Sequence, residues 1–282
     1  MRHGVHGGAA RAAARAIAAA AAGALVLVLA GCSGGGEEPT EIIASGTPVP
    51  EVSAPDPSGS PDGARVPSVG NPLTAMIATA SSASVDVYDA PDGALQQTVD
   101  AEDVLTVPDQ TPLTFLVDSQ QGDWVKVHLP VRPNGMMGWI RAEDVDLIST
   151  DMRVEIALDR FELTVFKGAE EVLTSAIGVG RADRPTPGGT YYIRELLQQP
   201  DPGGVYGPYA YGLSGYSPVL ESFNGGDAVI GIHGTNEPDS IGTLASSGCI
   251  RLPNEVISQL VTEVGLPLGA PVYISDADAV AT

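Results

Sequence analysis

The sequence predicts a mainly β protein: a small β-barrel followed by a larger β-sandwich domain with one main helix. Three observations predict it. From about residue 80 onward, short runs of β-branched and aromatic residues alternate with Gly, Pro, Asn and Asp turns. Only one later segment, "PNEVISQLVTEVG" (253–265), spaces its apolar residues as a helix does. Residues 33–72 show no hydrophobic period and are rich in Pro, Gly, Ser and acids. No internal repeat, phosphate-cradling Gly loop or metal-ligand cluster is visible, and no cofactor is expected.

Residues 1–31 read as a secretory signal. Arg2, Arg11 and Arg15 precede the uncharged run "AIAAAAAGALVLVLA" (16–30), which is shorter than the roughly 20 residues a membrane span needs. Leu29-Ala30-Gly31-Cys32 resembles the bacterial lipobox, whose Cys is acylated and becomes the new N-terminus. The competing reading is an ordinary signal peptide with a chance Cys. A lipobox implies a cell-envelope protein tied by Cys32 to the outer face of the cytoplasmic membrane. Loss of the three Arg takes the formal charge from −21 to −24. Such a charge argues against nucleic acid or an anionic bilayer surface as partner and favours cationic ones.

Residues 32–72 form the expected linker, with a root-mean-square span on the order of 35 Å if flexible. Residues 73–149 read as short strands. Val85 and Val87 alternate before "APDG", and "LTFLVD" and "WVKVHL" flank the turn "SQQGD". "GWIRAEDVDLI" closes the set, and its Gly-Trp-Ile with an acidic turn resembles bacterial SH3-like domains. So short a chain with so many turns suits a small barrel.

Residues 150–276 are the second unit, with 277–282 as a tail. "RVEIALD" and "ELTVFK" predict a hairpin around Arg160-Phe161, "EVLTSAIGVG" another strand, and "TPGGTYYIREL" a turn entering a strand. "DAVIGIHG" is a buried strand ending at His233. In the helix, Val256, Ile257, Leu260 and Val261 share a face, with Pro253 near the start and Gly265 just past the end. "APVYI" supplies the last strand.

Chemistry-bearing residues are few. The chain has two Cys and four His, and His3 and His6 lie in the signal. If Cys32 is acylated, Cys249 has no disulfide partner in its own chain. In an oxidising compartment this favours a reactive role over a structural one. A nucleophilic Cys needs a His to hold it as thiolate. His128, in "VKVHLP", reads as a packed or solvent-facing strand residue, which leaves His233 as the base.

"HGT…SSGCIRLPN", with "TPGGTYYI", "GGVYGPYAYGLSGYS" and "GIHGTNEPDSIGTLAS", resembles the L,D-transpeptidase catalytic domain, often called the YkuD domain, over residues 151–276. The resemblance implies a two-step acyl transfer on peptidoglycan stem peptides. Cys249 attacks the bond between the diamino acid and the terminal D-alanine, and a side-chain amine of a neighbouring stem takes the acyl group, giving a 3→3 cross-link. An L,D-carboxypeptidase using the same acyl-enzyme and a non-catalytic wall-binding lipoprotein are the competing readings. Carbapenems are expected to acylate Cys249. His233 matches the general base, with the Gly234 carbonyl orienting its ring. The N–H groups of Gly248 and Cys249 are expected at the oxyanion, and the positive end of the helix after Pro253 towards the thiolate. Arg251 offers a planar fork to a substrate carboxylate, against a plain ion pair. Ser246, Thr235 and Tyr211 are expected along the substrate. Tyr206, Tyr209, Tyr211 and Tyr216 suggest a lid, against an ordered Ω-loop with packed rings. One departure stands out: the family usually has His where this chain has Ser247.

Overall fold

The computed structural model describes residues 73–275 except Asn224. The signal, Cys32, the linker and the tail lie outside the described residues.

The first β unit is an antiparallel sheet of seven strands: β1 (Ala75–Ala80), β2 (Ser84–Tyr88), β3 (Leu95–Asp100), β4 (Thr114–Gln121), β5 (Trp124–His128), β6 (Met137–Arg141) and β7 (Val145–Thr150), in the order β3-β2-β6-β5-β4-β1-β7. A short helix, α1 (Ala101–Val104), follows β3, with the Asp100 side chain capping Glu102 N–H. The sheet curls because β4 changes partner: Thr114–Leu116 pair with β1, and Val117–Gln121 with β5. Val85, Val99, Phe115, Val127, Ile140 and Val145 thereby meet in one core. The β4–β5 turn is tighter than "SQQGD" suggested. Both strands continue to Gln121 and Trp124, and Gly122 takes the left-handed conformation the turn requires.

The second unit contains β8 (Met152–Ala157), β9 (Glu162–Lys167), β10 (Glu170–Ala176), β11 (Val179–Gly180), β12 (Gly189–Gln198), β13 (Tyr209–Tyr216), the small hairpin β14 (Ser222–Phe223) and β15 (Gly226–Asp227), β16 (Val229–His233), β17 (Leu244–Ser246), β18 (Ile250–Arg251) and β19 (Pro271–Ile274). Its eight-stranded sheet runs β10-β9-β8-β19-β12-β13-β16-β18. Here β12 joins two layers: Gly189–Tyr192 pair with β19, and Ile193–Gln198 with β13. The result is a sandwich whose core includes Val154, Leu163, Ile193, Leu213, Ile232 and Val272. The helix, α2 (Asn254–Gln259), continues as a π-helical turn to Val264 and stops at Gly265, which is left-handed (φ 70°). It buries Ile257 and Leu260 fully.

Two sequence expectations change. "EVLTSAIGVG" is two strands, because Gly178 lies so close to the Ser240 carbonyl that a Cβ there would come within 2.5 Å. The chain breaks there to bridge Arg251. "YAYGLSGY" is the strand β13 in place of a mobile connection. A Cβ at Gly215 would meet the Tyr191 ring at 2.4 Å, so its glycine provides room for a neighbour.

Candidate active site

Two adjacent parallel strands place the reactive residues. β16 pairs with β18 in the register Ile232↔Ile250 and His233↔Arg251, so Cys249, just ahead of β18, stands beside the middle of β16. Cys249 and His233 line one cavity of about 220 Å³, together with Tyr206, Ser247, Gly248 and Arg251. Val205, Leu220, Phe223 and Val229 make its apolar side. Both residues also border a second cavity of about 430 Å³ that includes Glu102 and Thr106 of the first β unit. His128 ends β5 beside Met137 and lines a different cavity.

The imidazole is fixed on two sides. Its Nδ1–H donates to the Gly234 carbonyl at 2.6 Å, which leaves Nε2 as the acceptor nitrogen. The Tyr206 ring meets it edge-on, with centroids 5.0 Å apart. Burial pushes the His233 pKa down to about 4; the Gly234 carbonyl opposes this and Arg251 adds to it. Burial also pushes the Cys249 thiol up, against the Gly231 backbone and Arg251, which both favour the thiolate. Desolvation thus disfavours the charged form of both groups.

The loop 246–249 is held by its own polar groups. The Ser246 hydroxyl donates to the Cys249 carbonyl at 2.6 Å and accepts from Gly248 N–H at 3.1 Å. Thr186 donates to the Gly248 carbonyl at 2.9 Å and accepts from Gly180 N–H at 2.8 Å. Gly248 has φ +121°, a conformation L side chains rarely adopt. Ser246 lines the smaller cavity and its hydroxyl also clamps the loop, and the Gly248 N–H expected at the oxyanion is already engaged.

Other expected residues separate. Tyr211 is 1% exposed and packs in the core, where burial pushes its phenol up to about 12, and it borders the larger of the two cavities alongside Cys249 and His233. Tyr209 packs against the same core, and the Tyr216 hydroxyl donates to the Pro130 carbonyl at 2.6 Å. Of the four tyrosines, Tyr206 lines both cavities beside Cys249 and Tyr211 the larger one. Thr235 is buried and turned inward: its N–H donates to Asn254 Oδ1 at 2.8 Å, and its hydroxyl accepts from Glu237 N–H at 3.0 Å. Arg251 ion-pairs with exposed Glu237 through Nη1, while its Nε is buried without a partner. Ser247 accepts from Arg184 Nη1 at 3.3 Å.

Sequence reasoning missed Asn254 and Thr186. A Cβ at Gly234 or Gly207 would come within 2.3 Å of Asn254 Oδ1, so this amide packs the Tyr206 loop against the end of β16. Their signal was the polar residue beside Pro in "TPGG" and "LPN".

Residues 151–274 match the model of the YkuD family, described as the L,D-transpeptidase catalytic domain. The resemblance covers 124 of the 282 residues. A protein named L,D-transpeptidase YkuD from Bacillus licheniformis is 35% identical over 123 residues, 44% of this chain and 65% of that one. Its namesake from Bacillus subtilis is 34% identical over 122 residues, 43% and 65%. The match thus spans just under two thirds of each relative's length. A crystal structure of an Enterococcus faecium L,D-transpeptidase is also similar, with TM-score 0.34 and 20% identity over 44% of this chain and 49% of that one. The YkuD segment ends within one residue of the last described strand.

Proposed function

We propose that this protein is a peptidoglycan L,D-transpeptidase of the cell envelope that forms 3→3 cross-links through a Cys249 acyl-enzyme. The observation that carries the reading is one cavity lined by both Cys249 and His233, with the imidazole's Nδ1–H tied to Gly234 and Nε2 left to accept a proton. His233 Nε2 takes the thiol proton as Sγ attacks the carbonyl between the diamino acid and D-alanine. The C–N bond breaks, the proton passes to the departing amine, and a thioester remains. A side-chain amine of a second stem then attacks the thioester, gives its proton to His233, and the thiol is restored.

Burial lowers the His233 pKa to about 4, which keeps the imidazole neutral and open to a proton while making it a weaker base than a solvated one. The oxyanion falls to Cys249 N–H, since Gly248 N–H serves Ser246. Arg251 lines the cavity, and its guanidinium suits a carboxylate of the stem. The N-terminal β unit acts as an SH3-like module, and Cys32 carries the lipid that holds the enzyme at the membrane facing the wall.

The test is product analysis with a tetrapeptide stem. Cross-linked dimers are expected. Trimmed monomers alone would make it an L,D-carboxypeptidase, and failure of a carbapenem to add mass at Cys249 would leave a wall-binding protein. The anchor is checked separately: mass spectrometry of the mature protein should find a lipidated Cys32 at its N-terminus.

A further inference from the structure

The apolar wall of the Cys249 cavity is fastened by residues outside the YkuD segment. Ser217, Leu220 and Phe223 contribute to that wall from the excursion that follows β13. Within its own unit the Ser217 hydroxyl accepts from the N–H groups of Leu220 at 3.1 Å and Val219 at 3.4 Å, and Ser217 N–H donates to the Ala228 carbonyl at 2.8 Å. Ala228 N–H donates to the Glu221 carbonyl at 3.3 Å, and Ser222 and Phe223 pair with Asp227 and Gly226. Residues 218–220, between those internal bonds, are held from the loop between β5 and β6 of the first unit as well. Arg132 Nη1 donates to the Ser217 carbonyl at 2.9 Å, and Nη2 to those of Leu220 at 2.9 Å and Glu221 at 3.3 Å. The same guanidinium lies 4.7 Å from the Tyr216 ring centroid. Asn134 pairs with Tyr216 in both directions, Nδ2 donating to its carbonyl at 2.8 Å and Oδ1 accepting its N–H at 2.9 Å.

A planar fork of donors is the side chain that satisfies three converging carbonyls; a lysine ammonium meets them only as a point charge. Without the fork, the carbonyls turn to water and the segment regains backbone freedom.

We propose that Arg132, assisted by Asn134, is a positioning residue for the reaction: the N-terminal β unit completes the active site by holding 217–223 as the wall against which the acyl donor lies. The proposal rests on the reading of Cys249 as nucleophile. It assigns this unit a part in donor binding in addition to any contact with the wall polymer.

The experiment compares wild type, Arg132→Ala, Arg132→Lys and Asn134→Ala by stopped-flow carbapenem acylation and by amide hydrogen exchange. For Arg132→Ala, the carbapenem concentration giving half-maximal acylation should rise on the order of 3- to 10-fold, the scale of a lost charge-assisted hydrogen bond at a partly exposed site. The limiting rate should stay within about twofold, since the dyad is untouched. Exchange should quicken at 217–223 and stay unchanged in β12 and β16. Arg132→Lys should restore part of the loss. Unchanged exchange at 217–223 overturns the clamp. A loosened segment with unchanged half-saturation, or a fall confined to the limiting rate, overturns the role in donor binding. If wild type takes no acyl group, the nucleophile reading fails instead, and exchange alone then judges the clamp.

Discussion

Two histidines end two strands, and among the described residues only one of them shares a cavity with a cysteine. His128 closes β5 between antiparallel neighbours β4 and β6, and His233 closes β16 beside the parallel strand β18. Burial lowers both pKa values, so desolvation does not distinguish them. The neighbours do. His128 shares its surroundings with Asp118 and Lys126, two charges of opposite sign on adjacent strands. His233 has its Nδ1 occupied by a carbonyl, an aromatic edge against its ring, and a thiol in the same cavity. A perturbed histidine becomes a candidate base only where a fixed tautomer and a proton donor converge on it.

The largest effect that would break this contrast concerns the thiol. Cys249→Ala should abolish acyl-enzyme formation, read as loss of the carbapenem mass adduct, because no other Cys lies among the described residues. His233→Ala should come next and slow acylation by about 10²–10⁴-fold. His128→Ala should leave it within about twofold, as expected of a substitution away from the site. Normal acylation in the first variant with loss in the second would reverse the assignment.

A pH series sharpens the same comparison. The folded pKa of His233 is near 4 and its ordinary value is 6.5, so between these values the unfolded chain binds a proton that the folded chain refuses. Stability from this group is complete above pH 6.5 and is lost as pH falls towards 4, by on the order of 3 kcal/mol. His233→Gln should flatten that acid limb in urea titrations. His128→Gln should alter it in the same direction, since that pKa is also lowered. The acid limb of acylation should lie near pH 4, not 6.5; a midpoint at 6.5 would mean that water enters the cavity and solvates the imidazole.

The smallest expected effect is at Ser247. Its hydroxyl accepts one hydrogen bond from the half-exposed Arg184, so Ser247→Ala should cost about 0.5–1.5 kcal/mol in acylation. An inert wild type rescued only by Ser247→His would show that the chain needs the imidazole usual at that position.

The sequence by itself determined a good deal here. Period-two alternation marked most strands, and the 3.6-residue spacing of Val256, Ile257, Leu260 and Val261 marked α2 with its Gly265 stop. Scarcity isolated Cys249 and His233, because a chain with few nucleophiles and bases leaves few pairings to consider. These are local properties, written in spacing and residue type. Strands β1, β3 and β13 were not legible: "AMIATA" and "LQQTVD" lack strong alternation, and the glycines of "YAYGLSGY" imitate a loop. Only the tertiary structure showed that these glycines make room for side chains of β12, which turned Tyr211 from a lid residue into core. It also decided that Ser246 and Thr235 bond inward, that Gly248 N–H is occupied, and that burial works against charge on both Cys249 and His233. Each of these depends on what another segment brings within hydrogen-bond reach or shields from water. Such encounters join residues tens of positions apart, as with Thr186 and Gly248 or Arg132 and Ser217, and no local pattern encodes them.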